Sequence, residues 1–171
     1  FSVIGDDANG EILKNLLPQA DITATHLLTD SERITTVKTR VLAQNQHLLR
    51  VDREDKTALT KTQAEVLLNS LREKLDQTDI QLILFQDYNK GVLTPWLISE
   101  VIKEALKRSI PTAVDPKFNN FWAYQKVTLF KPNLREIQQQ LDEQLTPDLL
   151  SMTSAAQQIK DRLDNTYTMI T

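Results

Sequence analysis

Gln81-Leu-Ile-Leu-Phe-Gln-Asp-Tyr-Asn-Lys-Gly-Val-Leu-Thr-Pro95 joins a short apolar run, a polar turn and the opening of a helix in immediate succession. Gln81 to Phe85 lacks polar alternation, as expected of a strand covered on both faces. Thr94-Pro95 reads as an N-cap followed by proline in the first helical turn. The helix it opens carries Ile98, Val101, Ile102, Ala105 and Leu106 at helical spacing. The pattern recurs downstream. Pro111 to Val114 and Val127 to Phe130 read as two more buried strands, with helices from about Asn133 and about Thr146. Thr166 to Thr171 reads as a last strand. Upstream, Thr60 and Gln63 form a capping box before the stripe Ala64, Leu67, Leu68, Leu71 and Leu75. Ser2-Val3-Ile4 reads as the tail of a strand. Gly5-Asp6-Asp7 then turns into a helix with Ile12, Leu13, Leu16 and Leu17 on one stripe, ending near Pro18. Strands alternating with helices of this length predict an α/β fold with a parallel sheet and right-handed crossovers. With both ends cut at strands, the chain reads as the middle of a domain.

Arg33 to Arg53 departs from this pattern. Thr36, Lys38, Arg40 and Leu42 share one face of a β-branched run, with Val37, Thr39 and Val41 on the other. His47 to Val51 follows closely, which predicts an antiparallel hairpin turning around Asn45-Gln46. Its faces are too polar for a central strand and suit a small flap or lid.

Composition excludes several classes of function. The chain has 171 residues, 40% of them hydrophobic, enough for one domain with a real core. A net charge of −3 argues against a dominant nucleic-acid footprint. There is no cysteine, hence no disulfide or thiolate metal site, and the two histidines, His26 and His47, are too few for a histidine-rich metal centre. No apolar run approaches a membrane span and no signal-peptide pattern opens the chain, so a cytoplasmic protein without membrane partners is the expectation. The three glycines compare with about 12 at the usual ~7%, and no glycine-rich loop is present to wrap a nucleotide phosphate.

In a doubly wound sheet, ligands bind in the crevice outside the carboxyl ends of the strands. Polar residues follow several of the strands read here. Asp87 and Lys90 lie in Asp87-Tyr-Asn-Lys-Gly91, where Gly91 suits a backbone conformation forbidden to other residues. Asp115 and Lys117 in Asp115-Pro116-Lys117 form either a turn or a ligand site. Asn133 and Glu136 in Asn133-Leu-Arg-Glu136 form a capping box. Coming directly after a strand, Glu136 is also placed to hold Mg²⁺ through water beside substrate phosphates. Lys38 and Arg40, two apart on one strand face, are either a charge guard on an edge or a fork and a point charge for one phosphate.

In this order the residues resemble the ribokinase-like (PfkB) family of sugar kinases, and within it the heptose-7-phosphate kinase domains of bifunctional ADP-heptose synthases. The carriers are Gly5-Asp-Asp7, Thr35-Thr-Val-Lys-Thr-Arg40, Leu48-Leu-Arg-Val-Asp52, Asp87-Tyr-Asn-Lys-Gly-Val-Leu-Thr-Pro95, Val114-Asp-Pro-Lys117 and Pro132-Asn-Leu-Arg-Glu136. The resemblance implies a partial ribokinase-like three-layer α/β sandwich, with residues 33–53 as a β lid that also mediates homodimerisation. It implies transfer of the ATP γ-phosphoryl group to the anomeric hydroxyl of a heptose 7-phosphate. Lys38, Arg40, Asp87, Lys90, Asp115 and Lys117 would bind the sugar phosphate, and Asn133 and Glu136 would organise ATP and Mg²⁺. Asn89 stands where close relatives usually carry glycine, a mild change because asparagine tolerates the left-handed conformation. The family's Gly-x-Gly-Asp segment, which supplies the anion hole and catalytic base, and its N-terminal Gly-Gly motif are not in this chain. The chain alone is therefore expected to be inactive, and unpaired strand edges suggest a dimer or marginal stability. Two alternatives stay open: a naturally short, noncatalytic sugar-phosphate-binding protein, and a related kinase for another sugar.

Overall fold

Short apolar runs separated by capped helices give two units in a computed structural model that describes residues 1–44 and 46–171. The first unit is Phe1–Ala58 with Lys90–Val92, and the second is Leu59–Asn89 with Leu93–Thr171.

In the first unit, β1 (Ser2–Gly5) leads into α1 (Ala8–Leu16) and a 3-10 turn that takes up Pro18. A parallel strand follows, β2 (Leu27–Asp30), paired from Ser2↔Leu27 to Gly5↔Asp30. The sequence pattern does not single out β2, because Leu27-Leu28-Thr29-Asp30 is too short to show a period. Asp7 caps α1 and ties the unit together. Its Oδ1 accepts from Gly10 N (2.8 Å) and its Oδ2 from Thr35 N (2.9 Å). Thr35 Oγ1 in turn accepts from Gly5 N (3.0 Å). These bonds, the Thr35 amide first, hold the Asp7 carboxyl below the usual range.

The expected α1 stripe is not buried. Ile12 and Leu16 lie open to solvent, and Gly10 is the buried residue of this helix. A β-carbon on Gly10 would come within 2.5 Å of Gly5 O, so the helix meets β1 backbone to backbone rather than through its leucines.

The hairpin consists of β3 (Val37–Ala43) and β4 (Gln46–Arg53), antiparallel, with Lys38 opposite Asp52, Arg40 opposite Arg50 and an irregularity between Val41 and Leu42. Of the expected turn, Asn45 lies outside the described residues and Gln46 begins β4. Val41, Leu42, Leu48, Leu49 and Val51 are all exposed.

Lys90–Val92 joins this unit through Arg33. The guanidinium of Arg33 donates to Lys90 O (3.1 Å) and Thr57 O (2.5 Å). Gly91 there has φ +76°, and a β-carbon would sit 2.0 Å from Thr57 O, so two constraints demand glycine. Asn89 takes φ +53°, the left-handed conformation that its side chain tolerates.

The second unit contains α2 (Lys61–Gln77), β5 (Ile83–Gln86), α3 (Pro95–Lys107), β6 (Thr112–Asp115) and a 3-10 segment, Phe118–Ala123. β7 (Leu129–Phe130), α4 (Leu134–Leu141), α5 (Leu149–Leu163) and β8 (Tyr167–Thr168) complete it. The four strands form one parallel sheet in the order β5-β6-β7-β8. This order has no reversal, so a crevice here is defined by the strand ends and not by a switch in strand order. The expected caps are in place: Thr60 with Gln63, Thr94 on Leu97 N, and Asn133 with Glu136.

Phe85, Val114, Phe121, Tyr124, Phe130, Ile137 and Ile159 make the core, with Phe121 edge-on to Phe130 at 4.9 Å. β5 corrects an expectation. Phe85 is buried but Leu82 and Leu84 are more than half exposed, because only one face of β5 is covered. Among the described residues, no helix is long and apolar enough to cross a membrane.

Three neutral donors converge on Asp87, just beyond β5. Asn89 N donates to Oδ1 (2.8 Å), while Asn120 Nδ2 (3.0 Å) and Tyr124 Oη (2.8 Å) donate to Oδ2. Asn120 also donates to Leu93 O. Burial first, and then the Asp87 charge, push the Tyr124 hydroxyl pKa up, so it remains a donor.

Four stability outcomes follow. In urea unfolding, Asp87→Ala should cost about 3 kcal/mol by stranding several donors, and Tyr124→Phe about 1 kcal/mol. Asp164 closes α5 at φ +53°, with a negative charge at a helix C-terminus. Asp164→Gly should therefore stabilise by about 1 kcal/mol in the same assay. Glu104 is buried between α2 and α3 against Arg108, Lys107 and Arg72, with Arg108 as the main cause of a pKa lowered from 4.5 to about 2. A depressed pKa contributes stability that is present above the unfolded value and is lost as pH falls through the folded one. Glu104→Gln should flatten the pH dependence of stability between about 4.5 and about 2. An unchanged acid limb in the variant would refute this.

Candidate functional site: the carboxyl ends of β6 and β7

Asp115 ends β6 in register with Gln86 of β5, and Lys131 continues the ladder beyond β7 by donating its N–H to Val114 O (3.0 Å). Pro116 then turns the chain, and Lys117 points its ammonium back over the edge. Beyond β7, Pro132 and the cap residue Asn133 start α4. Asn133 Oδ1 accepts from Glu136 N (2.9 Å), and Glu136 Oε2 accepts from Asn133 N (2.9 Å). The cap fixes the Glu136 carboxylate and leaves Oε1 facing the strand ends.

Lys117 sits on that oxygen. Its Nζ is 2.6 Å from Glu136 Oε1 and 3.6 Å from Asp115 Oδ1. Lys131 Nζ approaches the same Asp115 oxygen at 3.6 Å. The side chains thus alternate in sign, Lys131–Asp115–Lys117–Glu136, along two strand ends and one helix start. Burial works to lower the Lys117 pKa, but Glu136 and Asp115 outweigh it and hold the ammonium above the ordinary lysine range. Both cations can donate to an anion laid across the edge, and Glu136, the least exposed of the four, is the anchored acid.

The other expected residues fall elsewhere. Asp87 belongs to the same unit but is 1% exposed, with its oxygens taken by Asn89, Asn120 and Tyr124. Lys38, Arg40 and Lys90 belong to the first unit. There Lys38 pairs with Asp52 (3.1 Å) and lies 4.0 Å from Glu54, which also holds Lys90 (2.5 Å) and Lys56 (3.2 Å). These lysines, Lys90 first, keep the Glu54 carboxyl below its usual range. Arg40 is exposed opposite Arg50 and makes no ion pair among the described residues.

Sequence reasoning missed Lys131 and Glu54. Lys131 had a usable signal, since it follows a strand directly, as Asp115 ends one. Glu54 had none, because only the hairpin's return brings it to Lys38 and Lys90.

The donor chemistry limits what metal the edge can hold. Among the described residues there is no group of three or more His, Cys, Asp or Glu placed to bind an ion. Asp115 and Glu136, bridged by Lys117, are too few for an all-protein cage. They do fit Mg²⁺, which is commonly held by one or two carboxylates, with water and substrate phosphates completing the shell.

No family model matches the chain. It is 36% identical over 170 residues to the bifunctional protein HldE of Geobacter sulfurreducens, covering 99% of this chain and 34% of that protein. It is 40% identical over 135 residues to HldE of Geobacter metallireducens, covering 79% of this chain and 27% of that one. The chain spans about a third or less of the length of these curated relatives. Among solved structures, ribokinase from Giardia lamblia superposes with a TM-score of 0.74 at 14% identity, over 99% of this chain and 51% of that one. Phosphofructokinase-2 from Escherichia coli in complex with fructose-6-phosphate gives 0.69 at 20% identity, over 98% and 54%. The fold is thus ribokinase-like, and along nearly its whole length the chain is similar to a segment of HldE proteins.

Proposed function

We propose that the chain forms part of an ATP-dependent kinase that phosphorylates the anomeric hydroxyl of D-glycero-D-manno-heptose 7-phosphate in the cytoplasm, en route to ADP-heptose for lipopolysaccharide core. The observation that carries this reading is the charge-alternating edge of Lys131, Asp115, Lys117 and Glu136 at the ends of parallel strands. It combines a carboxylate anchored by its helix cap with nearby cations, which is what a phosphoryl-transfer site needs for positioning and charge neutralisation. Bound Mg²⁺ and ATP supply the phosphoryl group and the compensating charge. On this reading Asn133 and Glu136 hold ATP and Mg²⁺, and Lys38, Arg40, Lys90 and Lys117 bind the sugar phosphate. The exposed apolar residues Val41, Leu49 and Val51 suit a homodimer built through the hairpin.

The chain by itself is assigned no turnover. Asp87 is buried and hydrogen-bonded, while Asp115 and Glu136 are ion-paired, so none of the three is placed to take the proton of an attacking hydroxyl. The reading is tested by titrating the chain with heptose 7-phosphate and fructose 6-phosphate in a calorimeter and assaying ADP release with Mg-ATP. The heptose phosphate should bind more tightly, Arg40→Ala should weaken it by about tenfold, and ADP should stay at background. A preference for fructose 6-phosphate, or unchanged binding in the Arg40 variant, removes the substrate assignment. ADP release above background removes the claim of inactivity.

A further inference from the structure

Lys90 reaches the first unit by a short excursion. Lys90–Val92 belongs to that unit, while the chain on either side belongs to the second. Its ammonium lies 2.5 Å from Glu54 Oε2, the oxygen that Lys38 approaches from β3 at 4.0 Å. Two lysines from distant parts of the chain thus meet at one carboxylate oxygen. That pairing fixes the tip of a flexible stem and not its root. The root is fixed by Arg33, whose guanidinium donates to Lys90 O (3.1 Å) and, with its other arm, to Thr57 O (2.5 Å). Arg33 lies on the chain entering the hairpin and Thr57 on the chain leaving it, so one side chain ties both hairpin roots to the Lys90 backbone. Gly91 completes the fit, since a β-carbon there would lie 2.0 Å from Thr57 O.

Arg33 is poorly placed for stability alone. It is 8% exposed, its Nε makes no hydrogen bond among the described residues, and the carboxylate it pairs with, that of Asp30, is 3.9 Å away. A buried cation recovers little of its desolvation cost from so distant a partner. Its two charge-assisted bonds go instead to backbone carbonyls of separate segments, where they set geometry.

We propose that Arg33 is a positioning residue for the sugar phosphate: it holds the Lys90 backbone against both roots of the hairpin, so that Lys90 and Lys38 face one anion at a fixed separation. This rests on the kinase reading, in which those lysines bind the phosphate, and adds a residue that acts only through them.

The test makes two measurements on the 171-residue chain and on its Arg33→Ala and Arg33→Lys variants, the second serving if the first does not fold. The first measurement needs no ligand. A lysine-specific protease cuts after Lys90, at the carbonyl that Arg33 holds, so both variants should release the fragment ending at Lys90 roughly tenfold faster than the unmodified chain. Cleavage after Lys107, exposed on α3 in the second unit, should keep its rate, which separates local release from unfolding. The second measurement is calorimetric titration with heptose 7-phosphate, which both variants should bind about tenfold more weakly. Added guanidinium ion, at concentrations too low to unfold the chain, should restore affinity to Arg33→Ala, because it refills the place of the fork. A fold merely weakened by the substitution gains nothing from a denaturant. Four results overturn the proposal: unchanged cleavage after Lys90, equal acceleration after Lys107, unchanged affinity in variants that are cut faster, or no rescue by guanidinium. An unmodified chain that binds no heptose 7-phosphate overturns the substrate assignment instead, and cleavage after Lys90 then decides by itself whether Arg33 holds that segment.

Discussion

The carboxylate of Asp87 has to be satisfied inside the second unit, and much of the local structure follows from how this is done. It accepts from a backbone amide two residues on, from Asn120 and from Tyr124. A buried charge with only neutral donors is tolerable when several of them converge on it. The network fixes the end of β5, sets the 3-10 segment Phe118–Ala123 against it, and through Asn120 also fixes Leu93 at the entry to α3. With that end of the sheet rigid, the next two strands can present Asp115 and Lys131 as a defined pair.

The edge itself is built from charges that neutralise one another. Lys131, Asp115, Lys117 and Glu136 sum to zero, and the first unit repeats the pattern with Lys38, Lys56 and Lys90 gathered on Asp52 and Glu54. Such pairs contribute little to stability where they reach solvent. Only Glu136, pinned by its own helix cap, is fixed in place, and that asymmetry lets one carboxylate act as an anchor.

Much of this was legible beforehand. The capping boxes at Thr60 and Asn133, the proline start at Thr94-Pro95, the hairpin between Val37 and Arg53, and the need for an unusual backbone at Asn89 and Gly91 are local, set by a few neighbouring residues. What escaped depended on distant partners. β2 carries no periodic signal and exists because β1 pairs with it. The leucine stripe of α1 promised burial that the helix does not find, and Leu84 looked like core until only one face of β5 proved to be covered.

The sequence by itself determined where helices begin, where strands run and which polar residues stand at their ends, because caps, turns and side-chain alternation act over a few residues. It also carried the kinship, since the order of those short motifs persists along the chain. Only the tertiary structure decided that Asp87 faces inward while Lys131 faces the edge, that Glu54 gathers Lys38, Lys56 and Lys90, and that Lys117 chooses Glu136 over Asp115. Those outcomes turn on distances of an ångström between residues far apart in the chain, and the packing of the sheet sets such distances.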